Sequence, residues 1–322
     1  MASKYICMDI GGTKVLGAII DEKNNIIYRV KKKTRAEKGV EIIEERIISV
    51  AQDLLKESGI EKSDIVAIGA GAPGVINEDK GEIIYAPNLP WKNYDIKKAI
   101  ENKFGIPFFL GNDANIGMMG EWKYGAAVKK KNVVGIFVGT GVGGGLVINN
   151  KLFSGPRYLA GELGHMVLNP EGPYCNCGQR GCLEAYSGKV SMTKEIKNQI
   201  QRGRSTILKD LIDMEEGVIR SKPLKMAVDQ KDSLAIEVVD KAVYYLAAGA
   251  GSLINIFNPD MVVIGGGVIE SLGDYIMPQL KRYIKRFTLP DILEGTEIVP
   301  SVLKDDAILF GSLALIKEKQ LK

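Results

Sequence analysis

One pattern of residues occurs twice in this chain, and the repetition restricts the fold more than any other feature. Residues 5–28 read as a buried strand "YICMDI", a break at "GGTK", a second strand "VLGAIID", a turn at "KNN" and the start of a third strand, "IIYRVKKKT". From residue 133 the order begins again: "VVGIFV", a Gly/Thr turn, "GGGLVI", an Asn-Asn turn and "KLFSG". Apolar runs cut by glycine and asparagine turns are what a strand meander requires. Self-similarity at an offset of roughly half the chain marks a diverged internal duplication.

Between and after the repeats, the apolar spacing changes. Val40, Ile43, Ile47, Ile48, Ala51 and Leu55 recur at helical intervals, which predicts a helix over 38–59. "DIVAIGAGAPG" reads as a buried strand, 93–104 as a helix and "PFFLGND" as a strand that stops at Asn112-Asp113, followed by a helix over "ANIGMMGEWKYG". A helical region covers 190–252. "MVVIGGGVIE" is a buried strand running through glycines into a helix, "EIVPSVL" is a last strand, and 305–319 is an amphipathic C-terminal helix. The fold class is therefore α/β, and 322 residues suffice for two domains.

Bulk composition excludes several classes. With 45% apolar and 25% charged residues the chain is globular, and no window reaches the length of a membrane span. The basic run Lys31-Lys32-Lys33 has no accompanying groove pattern of aromatic and basic residues, so it reads as a solvated strand edge and not as a nucleic-acid surface. The N-terminal apolar run is too short for a signal peptide, so a cytoplasmic location is expected. In that reducing compartment clustered cysteines suggest metal before disulfide, while Cys7, alone in an apolar strand, reads as a small core residue.

Two stretches, "GAGAPG" (69–74) and "GTGVGG" (139–144), match the dinucleotide-binding pattern G-x-G-x-x-G. That motif needs a helix opening on the glycines. The first is followed by turn-rich "VINEDKGE" and the second by strand-like "GLVINN", so neither fits.

The turns inside the duplicated meanders suit phosphate. "DIGGTK" (9–14) offers backbone N–H groups at Gly11 and Gly12, the Thr13 hydroxyl, the Lys14 ammonium and the Asp9 carboxylate. "GTGVGGG" (139–145) offers a similar cradle with Thr140 and Gly141. Asp9 would repel phosphate unless a cation lay between them, which implies Mg²⁺. Glycines also simply permit tight hairpins, but two such loops at matching places weaken that alternative. A third glycine run, Gly265-Gly266-Gly267, ends a buried strand where a flat base can approach the backbone.

The only histidine, His165, and three of the four cysteines, Cys175, Cys177 and Cys182, fall within eighteen positions. One His and three Cys form a common closed zinc set. The surrounding loop, with "NPEGPY" and "NCGQRG", has little apolar material to hold it, and a metal would supply that stability. The alternative is a reduced, solvent-facing cysteine loop.

Asp113 ends a strand and begins a helix. A helix N-terminus favours an ionised carboxylate, the form a general base requires, though an N-cap is the commoner fate of Asp before a helix.

The duplicated meander with two Gly/Thr loops and a late glycine loop resembles the sugar kinase, heat-shock ATPase and actin superfamily, which implies two ribonuclease-H-like domains around a central cleft. The run Gly161-Glu162-x-Gly164-His165, then Cys175-x-Cys177-Gly178-x2-Gly181-Cys182-x-Glu184, resembles the signature of the ROK family. Together with "DIGGTK", "GND" and "GTGVGGG" in order, the resemblance covers essentially the whole chain. Within that family the chain most resembles the bacterial ATP-dependent glucokinases, an impression to which "APNLPWKN" (86–93) adds.

The resemblance implies an ATP-dependent hexose kinase acting on the 6-hydroxyl, with Asp113 as base. It implies Asp9 holding Mg²⁺ through water, and Gly11, Gly12, Thr13 and Lys14 at the first phosphate site. Thr140 and Gly141 would line the second, and Gly265, Gly266 and Gly267 the adenosine. Asn88, Asn112, Asp113, Glu162, His165 and Glu184 would read the sugar, with Gly71 and nearby backbone also in reach. Asn88, in a Pro-rich loop, also suits a plain turn. Zinc would be structural, with one ring nitrogen of His165 on the metal and the other on the sugar. Other hexoses, and a sugar-sensing regulator without turnover, stay open. The regulator branch usually carries a DNA-binding domain ahead of the first loop, and only eight residues precede Asp9. The resemblance also implies a homo-oligomer. A small domain is expected over 1–113 plus 305–322, and a larger one over 114–304.

Overall fold

The computed structural model describes residues 3–86, 89–212 and 217–320. The duplication is plain in its two sheets. In the first, β1 (Lys4–Ile10), β2 (Lys14–Asp21) and β3 (Ile26–Lys33) form an antiparallel meander. β4 (Ile65–Ala72) and β8 (Phe108–Asn112) extend it in parallel, giving the order β3-β2-β1-β4-β8. In the second, β9 (Val133–Val138), β10 (Val142–Ile148) and β11 (Lys151–Leu152) are followed by parallel β12 (Met261–Gly265) and β13 (Glu297–Pro300). Their order is β11-β10-β9-β12-β13, the same plan. This is the ribonuclease-H-like arrangement that the resemblance implies.

The chain divides into two compact units. The first comprises residues 1–129, 152–160 and 305–322, and the second 130–151 and 161–304. The first thus runs beyond the boundary at 113 read from the sequence. The reason is α3 (Asp113–Tyr124), which packs along α10 (Ala307–Gln320) within that unit. The two helices approach through glycine: a Cβ at Gly311 would lie 1.8 Å from the carbonyl oxygen of Ile116, and one at Gly120 would lie 2.1 Å from that of Ala307.

The expectation that α10 is amphipathic needs correction. Ala307, Leu309 and the whole run Gly311–Ile316 are buried. One side faces α3, and the other lies on the sheet, where the Ser312 hydroxyl donates to the Met8 carbonyl. A helix covered on both sides has no need of a polar stripe.

Each unit has its own apolar core. In the first, α1 (Val40–Ser58) places Ile43, Ile47, Val50 and Leu54 against Ile6, Met8 and Ile19 of the sheet, and α2 (Ile96–Phe104) adds Ile100. Cys7 is fully buried, as its setting in an apolar strand suggested. A small sheet, β5 (Val75–Asn77), β6 (Glu82–Tyr85) and β7 (Lys92–Tyr94), begins in the stretch that reads in sequence as turn-rich, and β7 takes the first residues of the helix expected over 93–104, which starts at Ile96. In the second unit, α7 (Ser233–Phe257) and α8 (Gly267–Ile284) pack with α5 (Lys189–Gln201) and α6 (Ser221–Asp229) over β9 and β12. The short helices α4 (Glu184–Ser187) and α9 (Pro290–Glu294) complete it. The basic run lies on β3, an edge strand with alternating exposure, and Lys32 pairs with Asp53. Among the described residues no helix is long and apolar enough to cross a membrane.

Candidate active site

In the first unit the turn between β1 and β2 is the "GGTK" break. Gly11 N–H donates to the Lys14 carbonyl at 2.8 Å, which closes the hairpin. Thr34, unmarked by any sequence pattern, fixes the loop twice: its N–H donates to the Thr13 carbonyl at 3.0 Å and its hydroxyl to the Gly11 carbonyl at 2.6 Å. Lys14 lies 3.3 Å from Asp305, a second residue that the sequence did not mark, since the two are separated by nearly the full chain.

Asp9 stands behind this turn. Burial pushes its carboxyl up to about 7, Lys14 opposes that shift, and the neighbouring charges of Asp113 and Asp305 reinforce it. A desolvated carboxylate near two others, with too little compensating charge, is a setting that a divalent cation would relieve. The oxygen donors fit Mg²⁺.

Asp113 is the first residue of α3, and it is not the cap. Asn112 holds that position, its Oδ1 accepting from Ala114 N–H at 3.0 Å and Asn115 N–H at 3.1 Å. The Asn112 amide nitrogen donates to the Gly74 carbonyl at 3.1 Å. Asp113 turns Oδ1 onto Ala114 N–H at 2.8 Å, which orients its carboxylate in the first helical turn. Gly71 lies within β4, beside Asp9 of β1 and Gly111 of β8. Asn88 lies outside the described residues.

The second unit holds the other glycine loops. Gly139 N–H donates to the Gly141 carbonyl at 2.9 Å, closing the turn between β9 and β10. The start of α5 grips this loop, with Lys189 N–H donating to Gly139 O and Val190 N–H to Thr140 O, each at 3.1 Å. A Cβ at Gly139 would meet nothing within 4 Å, so the fold does not itself demand glycine there and the space is open to a ligand. The third run divides similarly. Gly265 and Gly266 are packed tightly against Phe137 and the Val138 backbone, and Gly266 has φ +88°. A Cβ at Gly267 would touch only the Ser221 hydroxyl, at 3.9 Å. At Gly139 and Gly267 the missing side chain therefore leaves room for an outside group. Neither G-x-G-x-x-G stretch opens a helix: the first ends β4 and the second lies in the β9–β10 hairpin.

His165, Cys175, Cys177 and Cys182 converge, with their ligand atoms all within 4.8 Å of one another. The Cys177 and Cys182 sulfurs are 3.8 Å apart, and Cys175 Sγ is 3.8 Å from His165 Nδ1. With Zn–S bonds of about 2.3 Å, the edge of a ligand tetrahedron is about 3.8 Å. The donor set and its spacing fit zinc. Backbone turns shape the loop: Cys175 N–H donates to the Gln179 carbonyl and Gly178 N–H to the Cys175 carbonyl. Gly181 has φ +74° and sits so close to Asn169 that a Cβ would lie 1.6 Å from its carbonyl oxygen.

With Nδ1 on the cysteine side, the other ring nitrogen of His165 faces outward and lies 4.0 Å from a Glu162 carboxylate oxygen. Glu184, two residues after Cys182, directs Oε2 to Val142 N–H at 2.9 Å and Oε1 to Cys175 Sγ at 3.4 Å. Of the residues expected to read the sugar, Glu162, His165 and Glu184 thus gather around the cysteine cluster in the second unit, and Asn112 and Asp113 are neighbours in the first.

The family model described as "ROK family" matches residues 5–319. The chain belongs to the ROK family. A glucokinase of Halalkalibacterium halodurans is 34% identical over 318 residues, spanning 98% of this chain and 96% of that one. The solved structure of a ROK family glucokinase from Streptomyces griseus, in complex with glucose and AMPPNP, superposes with a TM-score of 0.82 at 28% identity, covering 99% of this chain and all of that one. The family also includes regulators: a putative xylose repressor of a Caldicellulosiruptor species is 30% identical across 94% of this chain and 74% of its own length.

Proposed function

We propose that this ROK protein is an ATP-dependent hexose kinase, a glucokinase that transfers the γ-phosphate of ATP to the 6-hydroxyl of glucose. The observation that carries the enzyme reading is the division of labour at the start of α3: Asn112 caps the helix, so capping does not account for Asp113. Full-length similarity to glucokinases supports the substrate.

In this reading Asp113 accepts the proton of the 6-hydroxyl as its oxygen attacks the γ-phosphorus, and ADP leaves. Asn112, Glu162, His165 and Glu184 bond the remaining hydroxyls, and Asn88 belongs to the same proposal. Gly11, Gly12, Thr13 and Lys14 receive phosphate oxygens, as do Thr140 and Gly141, while the Gly265–Gly267 run faces the adenosine. Asp9 would hold Mg²⁺ through water, and that ion, when bound, neutralises phosphate charge. His165, Cys175, Cys177 and Cys182 would hold a structural zinc, which fixes the ring of His165 so that Nε2 faces away from the metal.

ADP release from MgATP is measured with glucose, mannose, fructose, N-acetylglucosamine, N-acetylmannosamine and allose. Turnover strongest on glucose is expected. Asp113→Asn should lower kcat by about 10²–10⁴-fold, the usual weight of a general base, while glucose still binds. Strongest turnover on another hexose would replace the substrate and keep the mechanism. No turnover with sugar binding intact would favour a sensor, a role in keeping with the repressor relatives.

A further inference from the structure

Residues 184–190 begin two positions after Cys182, and Glu184, Lys189 and Val190 among them bond the second glycine loop. The Glu184 carboxylate takes Val142 N–H at 2.9 Å on one oxygen and approaches Cys175 Sγ at 3.4 Å with the other. The same carboxylate explains a glycine. A Cβ at Gly141 would lie 2.0 Å from Glu184 Oε2, so residue 141 lacks a side chain because the carboxylate fills that space. Behind it, Gly188 N–H and the Ser191 hydroxyl both donate to the Glu184 carbonyl at 3.0 Å, which anchors the residue's backbone. Lys189 and Val190 then hold the carbonyls of Gly139 and Thr140.

We propose that Glu184 is a positioning residue for the nucleotide, a strut that through its place two residues after Cys182 ties the Cys3His loop to the phosphate loop at 139–142 by its bond from Val142 N–H. This rests on the kinase reading and deepens it, since a carboxylate that served only the sugar would have no bearing on nucleotide binding. With the strut in place, the loop's N–H groups and the Thr140 hydroxyl keep one arrangement before ADP or ATP arrives, and less ordering is required on binding. Without it, Val142 N–H loses its partner and the loop gains freedom.

The test is ADP affinity in the absence of sugar, by titration calorimetry on the full chain, beside hydrogen exchange at the Val142 amide. Glu184→Ala should weaken ADP by about tenfold and speed exchange at Val142. Glu184→Gln retains an acceptor oxygen and should stay within about threefold of the parent. Stripping zinc from the parent with a chelator should weaken ADP to a similar degree, and stripping it from the Glu184→Ala protein should add little, because both act through one connection. Parent-like ADP affinity and parent-like Val142 exchange in Glu184→Ala would overturn the inference while leaving the kinase reading intact. Absence of ADP binding in the parent would overturn both. Equal losses in the Ala and Gln variants would also count against the strut, since the hydrogen bond would then be irrelevant.

Discussion

Asp9 is strained by its surroundings. Its carboxyl titrates at about 7 in the folded chain because burial and the charges of Asp113 and Asp305 outweigh Lys14. An unfolded aspartate ionises near 3.9. As pH rises from about 4 to about 7, the unfolded chain releases this proton first, so the folded state loses stability across that window and keeps a fixed deficit above it, of up to about 4 kcal/mol. Asp9→Asn in nucleotide-free protein should therefore raise the melting temperature at pH 8, raise it progressively less toward pH 5, and leave it unchanged near pH 4, while phosphoryl transfer is lost. Scanning calorimetry across that range decides the matter, and a gain that does not vary with pH would contradict it. The proposed role of Asp9 toward Mg²⁺ would make this a destabilisation traded for function, which is common at reactive centres.

At the scale of elements, the sequence was most informative where a buried run met a glycine turn. β1, β2, β4, β8, β9, β10 and β12 were all legible, because strands covered on both faces need continuous apolar residues whatever else they do. The convergence of His165 with Cys175, Cys177 and Cys182 was legible from their clustering, since a chain with one histidine and four cysteines rarely spends four of them within one turn-rich loop by chance. β5 to β7 were hidden because they are short and carry Glu82 and Lys92 among their few residues. The contacts of Glu184 with Val142, and of Thr34 with Gly11, were hidden for another reason: they join residues 42 and 23 positions apart through single hydrogen bonds that leave no periodic trace. The burial of α10 on both sides was equally invisible, though its glycine is a clue once α3 is known to pack against it. Gly311→Ala would drive a methyl group into the Ile116 carbonyl, at 1.8 Å, and the helices can only separate. The expected cost is about 1–3 kcal/mol, read by urea denaturation, with secondary structure retained. A variant as stable as the parent would show that this crossing tolerates movement the packing does not suggest.

At the scale of the whole chain, two separate cores sit in two units, and two-state unfolding is not the expectation. The tryptophans offer a selective probe, because the chain has only two, Trp91 and Trp122, and both belong to the first unit. The Cys3His centre belongs wholly to the second. Tryptophan fluorescence thus reports the first unit, while far-ultraviolet circular dichroism reports helices such as α7 and α8 of the second as well. A metal that binds the folded loop and not the unfolded one stabilises by mass action. Zinc chelation should then lower the midpoint seen by circular dichroism by several degrees and leave the tryptophan midpoint nearly fixed, so that transitions which overlap in the loaded protein come apart. His165→Ala should reproduce the separation without chelator and lower the bound zinc measured by atomic emission. If both probes shift together on chelation, the units unfold as one and the metal stabilises the whole chain. If neither shifts and His165→Ala retains full zinc, the cluster is not the metal site.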